Sequence, residues 1–179
     1  MPARIAGLVA GVALVLLLGC AQPSEPPPPV EVVNKELGVN LSSLPAGLTV
    51  GENEGRNLEL RPAAPEKKGG IWFDVGPETH AVNLVLAVND HQMLIEGRPG
   101  GEYLGAQDLI GDFGSAFYSR GRFDQGSDRL EETVLYVIHP TGNRLLSIRS
   151  QYPAGTDSAA RVEELIDVVS RMDWAPAPG

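Results

Sequence analysis

Two long segments near the C-terminal end constrain the fold more than any other feature of the sequence. Residues 130–138 are rich in β-branched and aromatic side chains, and the side chains of residues 144–152 alternate between two faces. Between them stands Pro140-Thr-Gly-Asn143, whose residues suit a tight turn. The pattern predicts an antiparallel hairpin. A further strand at 115–123, closed by the polar loop 124–128, makes it a three-stranded meander.

An amphipathic helix is predicted after the meander. Its apolar residues recur at i, i+3, i+4, i+7 and i+10, and they are Val162, Leu165, Ile166, Val169 and Met172. Charged residues fill the other face. Thr156, Asp157 and Ser158 are the candidates for its N-cap. Such a helix packs one face on an apolar surface and leaves the charged face in solvent.

The N-terminal half predicts four short strands followed by a helix. The strands fall at residues 39–44, 48–52, 58–61 and 70–75. The helix is predicted over His80–Glu96, where Leu84, Val88, His91 and Ile95 form a stripe and Arg98-Pro-Gly-Gly101 follows. Composition alone also allows a strand at Ala81–Val88, but the length of the segment favours the helix.

This order of elements predicts an α+β fold, in which two main helices flank an antiparallel sheet. The chain resembles the PsbP-like family in the segment Gly38-Val-Asn-Leu-Ser-Ser-Leu-Pro45, in the meander ending at Tyr152-Pro153 and in the closing helix. The resemblance implies an α/β/α sandwich. PsbP is an extrinsic subunit of photosystem II, and a eukaryotic Ran-binding protein shares its fold. No functional residue of the family carries over to this sequence, and a fold does not determine a function.

Residues 1–19 have the pattern of a secretory signal peptide. The basic Arg4 comes first, and residues 5–18 contain no charged side chain. A transmembrane helix needs about 20 apolar residues, and this segment is shorter. The leader is therefore expected to direct export rather than to span a bilayer.

The leader ends in Leu17-Leu18-Gly19-Cys20, which resembles the lipobox of bacterial lipoproteins. The resemblance implies a diacylglycerol on the Cys20 sulfur and cleavage just before this residue. Leu18 departs from the pattern, which more often has a small residue there. Cys20 is the only cysteine, so it has no partner for an internal disulfide. Two alternatives remain: cleavage at the small-x-small site Gly19-Cys20-Ala21, which would release a secreted protein, and an uncleaved anchor.

Three further segments complete the predicted organisation of the chain. Residues 20–37 form a tether, because Pro26–Pro29 are consecutive and favour an extended conformation. Residues 38–174 are expected to form a single globular domain, and residues 175–179 a flexible tail. Acyl chains on Cys20 would then hold this domain to a membrane on an extracytoplasmic face of the cell envelope.

The net charge of −9 disfavours nucleic acid as a partner, because nucleic-acid binding needs clustered Lys and Arg. No metal site is predicted, since His80, His91 and His139 show no ligand spacing. No cofactor is predicted either, because the Gly-rich segment 97–105 lacks a phosphate-binding motif and reads as a helix end and a turn.

The sequence contains no motif of a catalytic nucleophile such as G-x-S-x-G, so no catalytic residue is predicted. Five residues are candidate contacts for a ligand or partner. Trp72 is a candidate anchor if it is exposed, although it would equally well pack under a helix. The other four, expected to form a polar patch near the sheet edge, are Arg98, Tyr103, Arg120 and Arg122.

These features together favour a non-enzymatic binding or assembly module, anchored to the membrane and contacting an envelope protein. One alternative is a hydrolase whose site is assembled from residues distant in sequence. The other is a structural protein of the envelope. A polar pocket with a convergent His or carboxylate pair would indicate the enzyme, and a flat apolar patch would indicate the binding module.

Overall fold

The computed structural model describes residues 30–111, 114–139 and 143–174. The two helices are α1 (Leu84–Glu96) and α2 (Ser158–Ser170). The strands are β1 (Val32–Asn34), β2 (Val39–Leu41), β3 (Leu48–Glu54), β4 (Asn57–Pro62), β5 (Gly70–Val75), β6 (Glu102–Gly111), β7 (Gly114–Gln125), β8 (Asp128–His139), β9 (Arg144–Pro153) and β10 (Met172–Trp174). The leader, Cys20, most of the turn at 140–143 and the tail at 175–179 lie outside the described residues.

Seven of these strands form one antiparallel sheet, in the order β3-β4-β5-β9-β8-β7-β6. The predicted meander is confirmed as β7, β8 and β9, with Leu135 paired to Ile148 at its centre. Between β7 and β8 the chain turns at Gly126 and Ser127, where Gly126 adopts a φ of 63°. The left-handed region favours glycine, so the polar loop predicted at 124–128 is a tight hairpin turn.

The main hydrophobic core lies on one face of this sheet. Every second residue of each strand points into this core, and examples are Ile71, Phe73, Leu135 and Ile148. Against them pack Leu165, Val168 and Val169 of α2, together with the small sheet β1-β2-β10. Helix α1 covers the opposite face, over β6, β7 and β8. The fold is therefore α+β, as predicted, with a helix on each side of an antiparallel sheet.

Both helices begin at a side chain that accepts hydrogen bonds from the first turn. Asn83 Oδ1 accepts from the amide of Leu86, so α1 begins at Leu84 and not at His80. Asp157, one of the three predicted caps, accepts from the amides of Ala159 and Ala160. The last apolar residue assigned to the closing helix, Met172, instead lies in β10 and pairs with Leu41.

The folded part begins earlier than residue 38. The structure has Val32–Asn34, which the sequence placed in the tether, as a strand paired with β2. Val32 and Leu37 are buried in the core, which explains why this segment is ordered with the domain. Strand β6 was not predicted, and it makes the meander four-stranded. None of the helices in these ranges is long and apolar enough to cross a membrane.

Candidate functional site

A network of hydrogen-bonded polar side chains is buried between α1 and the sheet. His91 Nδ1 lies 2.7 Å from Ser119 Oγ on β7, and His91 Nε2 lies 3.0 Å from Glu132 Oε1 on β8. Tyr103 Oη on β6 is 3.2 Å from Ser119 Oγ. The order hydroxyl, imidazole, carboxylate is that of a serine-hydrolase triad. It is the convergent pair that would indicate an enzyme, so its accessibility decides its meaning.

The serine of this hydrogen-bonded network, Ser119, has no exposed surface. Ser119 is 0% exposed, Glu132 1% and His91 5%. A substrate carbonyl cannot approach an Oγ atom that is sealed under a helix, since attack requires contact at about 3 Å. The arrangement is therefore a buried hydrogen-bond network that fixes α1 on the sheet. The part of the chain that the structure describes contains no cluster of residues suited to hold a metal ion.

Glu132 is the charged centre of this network. Besides His91, its carboxylate accepts a hydrogen bond from Gln151, and Arg98 and Arg149 lie 3.6 Å and 3.7 Å from Oε2. Burial alone would raise the pKa of the Glu132 carboxyl. The hydrogen bonds from His91 and Gln151 and the charges of both arginines outweigh it, so the pKa is lowered below its ordinary value. The carboxylate is accordingly ionised and held by its partners.

The outer side of α1 is an exposed apolar surface, called here the α1 outer face. It consists of four residues whose exposed fractions run from 48% to 72%, namely Val85, Leu86, Met93 and Leu94. The inner side, with His91 and Ile95, is buried on the sheet. A helix that is apolar on both sides is normally covered on both sides. The four residues form two adjacent pairs, with the exposed Asn89 and Asp90 between the pairs. Apolar residues grouped in this way mark a contact site more strongly than scattered ones do.

A shallow groove of about 250 Å³ runs along one flank of the α1 outer face. Its apolar walls include Val82, Leu86 and Leu145, and Asp90 stands at its edge. Helix α1 contains Asp90 and Glu96 but no lysine or arginine. The apolar surface of α1 is thus interrupted by an acid, because the exposed Asp90 lies one helical turn from both Leu86 and Leu94.

The predicted polar patch is divided between the two faces of the sheet. Arg98 and Tyr103 lie on the α1 side, where Arg98 stacks on the Phe123 ring at 4.0 Å and Tyr103 joins the buried network. Arg120 and Arg122 lie on the opposite side, where both bond to Glu131. Their side chains point away from Ser119, the neighbour of Arg120 in β7, because successive residues of a strand face opposite ways.

Trp72 lies where the sequence predicted it, on the face opposite Ile71 and Phe73. It is partly exposed on β5, beyond the three strands that α1 covers, and it is paired with Arg149. With Lys68 and Gln151 it lines a cleft of about 270 Å³. The role of Trp72 as a contact residue stays a prediction. Lipid attachment at Cys20 also stays a prediction, because Cys20 lies outside the described residues.

Sequence reasoning missed the α1 outer face. The stripe used to predict the helix, Leu84, Val88, His91 and Ile95, is its inner side. The signal was present in the same segment, since four of the eight residues between the stripe positions are also large and apolar. An amphipathic helix would have had polar residues at most of these positions.

No family model and no well-characterised protein matches the sequence. Three solved structures show the likeness of fold. The Ran-binding protein Mog1p of Saccharomyces cerevisiae has a TM-score of 0.58 and 11% identity, over 83% of this chain and 96% of that one. PsbP (CyanoP) of Synechocystis has a TM-score of 0.54 and 12% identity, over 88% of this chain and 98% of that one.

The third structure is LpqN of Mycobacterium tuberculosis, described as involved in cell envelope biogenesis. Its TM-score is 0.51 at 12% identity, over 83% of this chain and 86% of that one. Identities this low carry information about the fold and not about the activity. The chain therefore has the PsbP-like α/β/α fold.

Proposed function

We propose that this protein is a non-enzymatic binding or assembly module of the bacterial cell envelope, tethered through lipid on Cys20. The observation that carries the proposal is the α1 outer face, with Val85, Leu86, Met93 and Leu94 exposed on the side of the helix turned away from the sheet. Exposed apolar residues grouped on one surface suit association with another macromolecule. The buried Ser119 gives no comparable support to a hydrolase.

The occupant of this surface is an envelope protein that presents an apolar segment with basic residues. Charge favours this partner, because α1 carries the two carboxylates Asp90 and Glu96 and no lysine or arginine. A second copy of the chain would bring these carboxylates against each other, since a two-fold contact pairs the same surface on both subunits. An anionic bilayer would be repelled in the same way.

The descriptions of two proteins that share this fold are compatible with this role. LpqN, which shares the fold, is described as involved in cell envelope biogenesis, and Mog1p as a Ran-binding protein. For the present chain, we infer an envelope location from the leader and Cys20, and a binding role from the exposed helix.

Site-specific photocrosslinking tests the docking surface. A crosslinker placed at Met93 in native membranes is expected to yield one discrete adduct with a protein whose crosslinked peptide is apolar and basic. A crosslinker at the exposed Glu163 of α2 is the matched control and is expected to miss this partner. Leu86→Glu should reduce the Met93 adduct by about tenfold, because it places a charge inside an apolar contact.

The same experiment can contradict the proposal. An adduct of Met93 with a second copy, with lipid alone, or with nothing would overturn it. Because Leu86 is 56% exposed, Leu86→Glu should change the free energy of unfolding by no more than about 0.5 kcal/mol. Urea unfolding of the variant would establish that a lost adduct is not a lost fold.

Labelling with a fatty-acid analogue tests the anchor separately. The wild-type chain is expected to take up the label and to fractionate with membranes, and Cys20→Ser to take up none, because the sulfur is the acceptor. Two or more acyl chains hold a protein to a membrane stably, so most of the wild-type chain should stay membrane-bound. An unlabelled wild-type protein would contradict lipidation, and the mass of its amino terminus would separate a secreted form from an uncleaved anchor.

A further inference from the structure

A second cleft opens on the opposite face of the sheet from α1, at the end where β9 leads into α2. It has a volume of about 460 Å³. One wall is apolar and includes Leu48, Pro62 and Pro153, while Tyr152 closes the inner end beside α2. The volume lies within the range usual for small-molecule sites, about 300–1,000 Å³.

The charge of this cleft is opposite to that of the whole protein. Lys67, Lys68 and Arg161 line it, with Glu164 as the single carboxylate, which leaves a surplus of two positive charges. The chain as a whole carries a net charge of −9. A local inversion of this kind attracts anions to one place on an otherwise repelling surface.

The lone carboxylate is already engaged within the protein. Glu164 Oε2 accepts a hydrogen bond from Arg161 Nη1 at 2.8 Å and from the Tyr152 hydroxyl at 3.1 Å. The Arg161 guanidinium also stacks on the Tyr152 ring at 4.4 Å. These contacts fix Arg161 at the wall of the cleft, so its position does not depend on a ligand.

The two lysines of the cleft, Lys67 and Lys68, are the cations that can bind an anionic ligand. Lys68 Nζ is 3.0 Å from Asp128, in an ion pair that is exposed on both sides. The Lys67 ammonium has no ion-pair partner among the residues described. An exposed pair contributes little stability, so both ammonium groups are available to an anion that reaches the cleft.

Two further cations, Arg120 and Arg122, lie on β7, on the same face of the sheet as the cleft. Arg120 Nη2 and Arg122 Nε each lie 2.9 Å from a different oxygen of Glu131, so two guanidinium groups share one carboxylate. Glu131 is paired directly with Tyr152 across β8 and β9. Two guanidinium groups and one carboxylate therefore add one further positive charge beside the cleft, on the neighbouring strands of the same face.

We propose that this cleft binds a phosphate monoester group, carried either by a small soluble molecule or by a lipid headgroup. A phosphate monoester carries about −1.5 to −2 charges at pH 7, which matches the surplus of the lining residues when Lys68 exchanges its exposed partner Asp128 for the ligand. Lysine ammonium groups recognise phosphate as point charges, and a fixed guanidinium adds directional donors. The apolar wall then contacts the uncharged body of the ligand.

Calorimetric titration of the full chain with sn-glycerol 3-phosphate tests the site. The double variant K67Q/K68Q is expected to weaken binding by about tenfold, since two charge-assisted contacts are lost. K35Q removes one positive charge from an exposed lysine between β1 and β2, outside the cleft, and is expected to bind within about twofold of wild type. Absence of binding in the wild type, or equal weakening by K35Q, would overturn the proposal.

Two further titrants distinguish the source of the phosphate. If the ligand is a lipid, a soluble short-chain phosphatidic acid should bind about tenfold more tightly than glycerol 3-phosphate, because its chains contact the apolar wall. If the ligand is a small molecule, the two should bind alike, and inorganic phosphate more weakly. Since the cleft and α1 lie on opposite faces, a negative result here leaves the docking proposal standing, and a missing crosslink at Met93 leaves this one standing.

Discussion

Replacing Glu132 with alanine is expected to lower the free energy of unfolding by about 3–5 kcal/mol. The carboxylate is 1% exposed and holds His91, Gln151, Arg98 and Arg149 together. Its removal leaves the His91 imidazole buried without its partner and leaves a cavity beneath α1. Breaking one side of a buried, hydrogen-bonded charge cluster costs more than any single surface contact.

Urea unfolding at neutral pH measures this loss, and Glu163→Ala serves as the control. Glu163 is exposed on α2, so its removal should change stability by no more than about 0.5 kcal/mol. Glu132→Gln keeps the shape and one acceptor oxygen, and it should fall between the two. A Glu132→Ala chain as stable as the Glu163→Ala chain would show that the network does not hold α1.

The acid dependence of stability provides a second measurement on the same variants. The pKa of Glu132 is lower in the folded chain than in the unfolded one. Its contribution is therefore complete above the unfolded carboxyl pKa of about 4.5 and is lost as the pH falls towards the lower folded value. Glu132→Gln cannot titrate, so its stability should fall less steeply than that of wild type below pH of about 4.5.

The sequence predicts those elements whose pattern is local. Composition predicted β8, alternation predicted β9, and helical spacing predicted α2 and the inner side of α1. Strand β6 carries no such pattern, because it is an edge strand that shifts register between Tyr103 and Gly105. It is held by its pairing with β7, which no local signal reports.

The site depends on contacts between distant segments, and that is why it was predicted poorly. His91 meets Ser119 across 28 residues and Glu132 across 41. Arg98 and Arg122 were predicted to share one patch, yet the sheet separates them, since Arg122 bonds to Glu131 and Arg98 approaches Glu132. The α1 outer face differs, since Val85, Leu86, Met93 and Leu94 are visible in the sequence of α1 itself, and only the packing of the other side on β6, β7 and β8 depends on distant segments.

Gly121→Ala is expected to lower the free energy of unfolding by about 2–3 kcal/mol. Gly121 lies in β7 directly under α1, between Tyr103 and Glu132 on the neighbouring strands. A Cβ atom there would stand 2.6 Å from Ile95 Cγ1 and Cγ2 and 2.9 Å from Cδ1. Ile95 is 0% exposed and β-branched, so it has no space and few rotamers with which to give way.

The control for backbone effects is Gly76→Ala. A Cβ at Gly76 would meet its nearest neighbours at 3.6 Å and 3.9 Å, which is ordinary contact. Its stability should stay within about 0.5 kcal/mol of wild type or rise slightly, because alanine restricts the unfolded chain. Gly76 directly follows β5, and a loss there equal to that at Gly121 would attribute both losses to the replacement of glycine in the backbone and not to the contact with α1.

A double-mutant cycle with Ile95→Ala decides whether the clash is the cause. Ile95→Ala alone should cost about 2–5 kcal/mol through the cavity it creates. In that background the atoms that Gly121→Ala would strike are gone, and the added methyl group partly fills the space. Gly121→Ala should then be neutral or stabilising, so that the sign of its effect reverses. If the two losses simply add, Ile95 and Gly121 do not set the distance of α1 from the sheet, and the orientation of the α1 outer face has another cause.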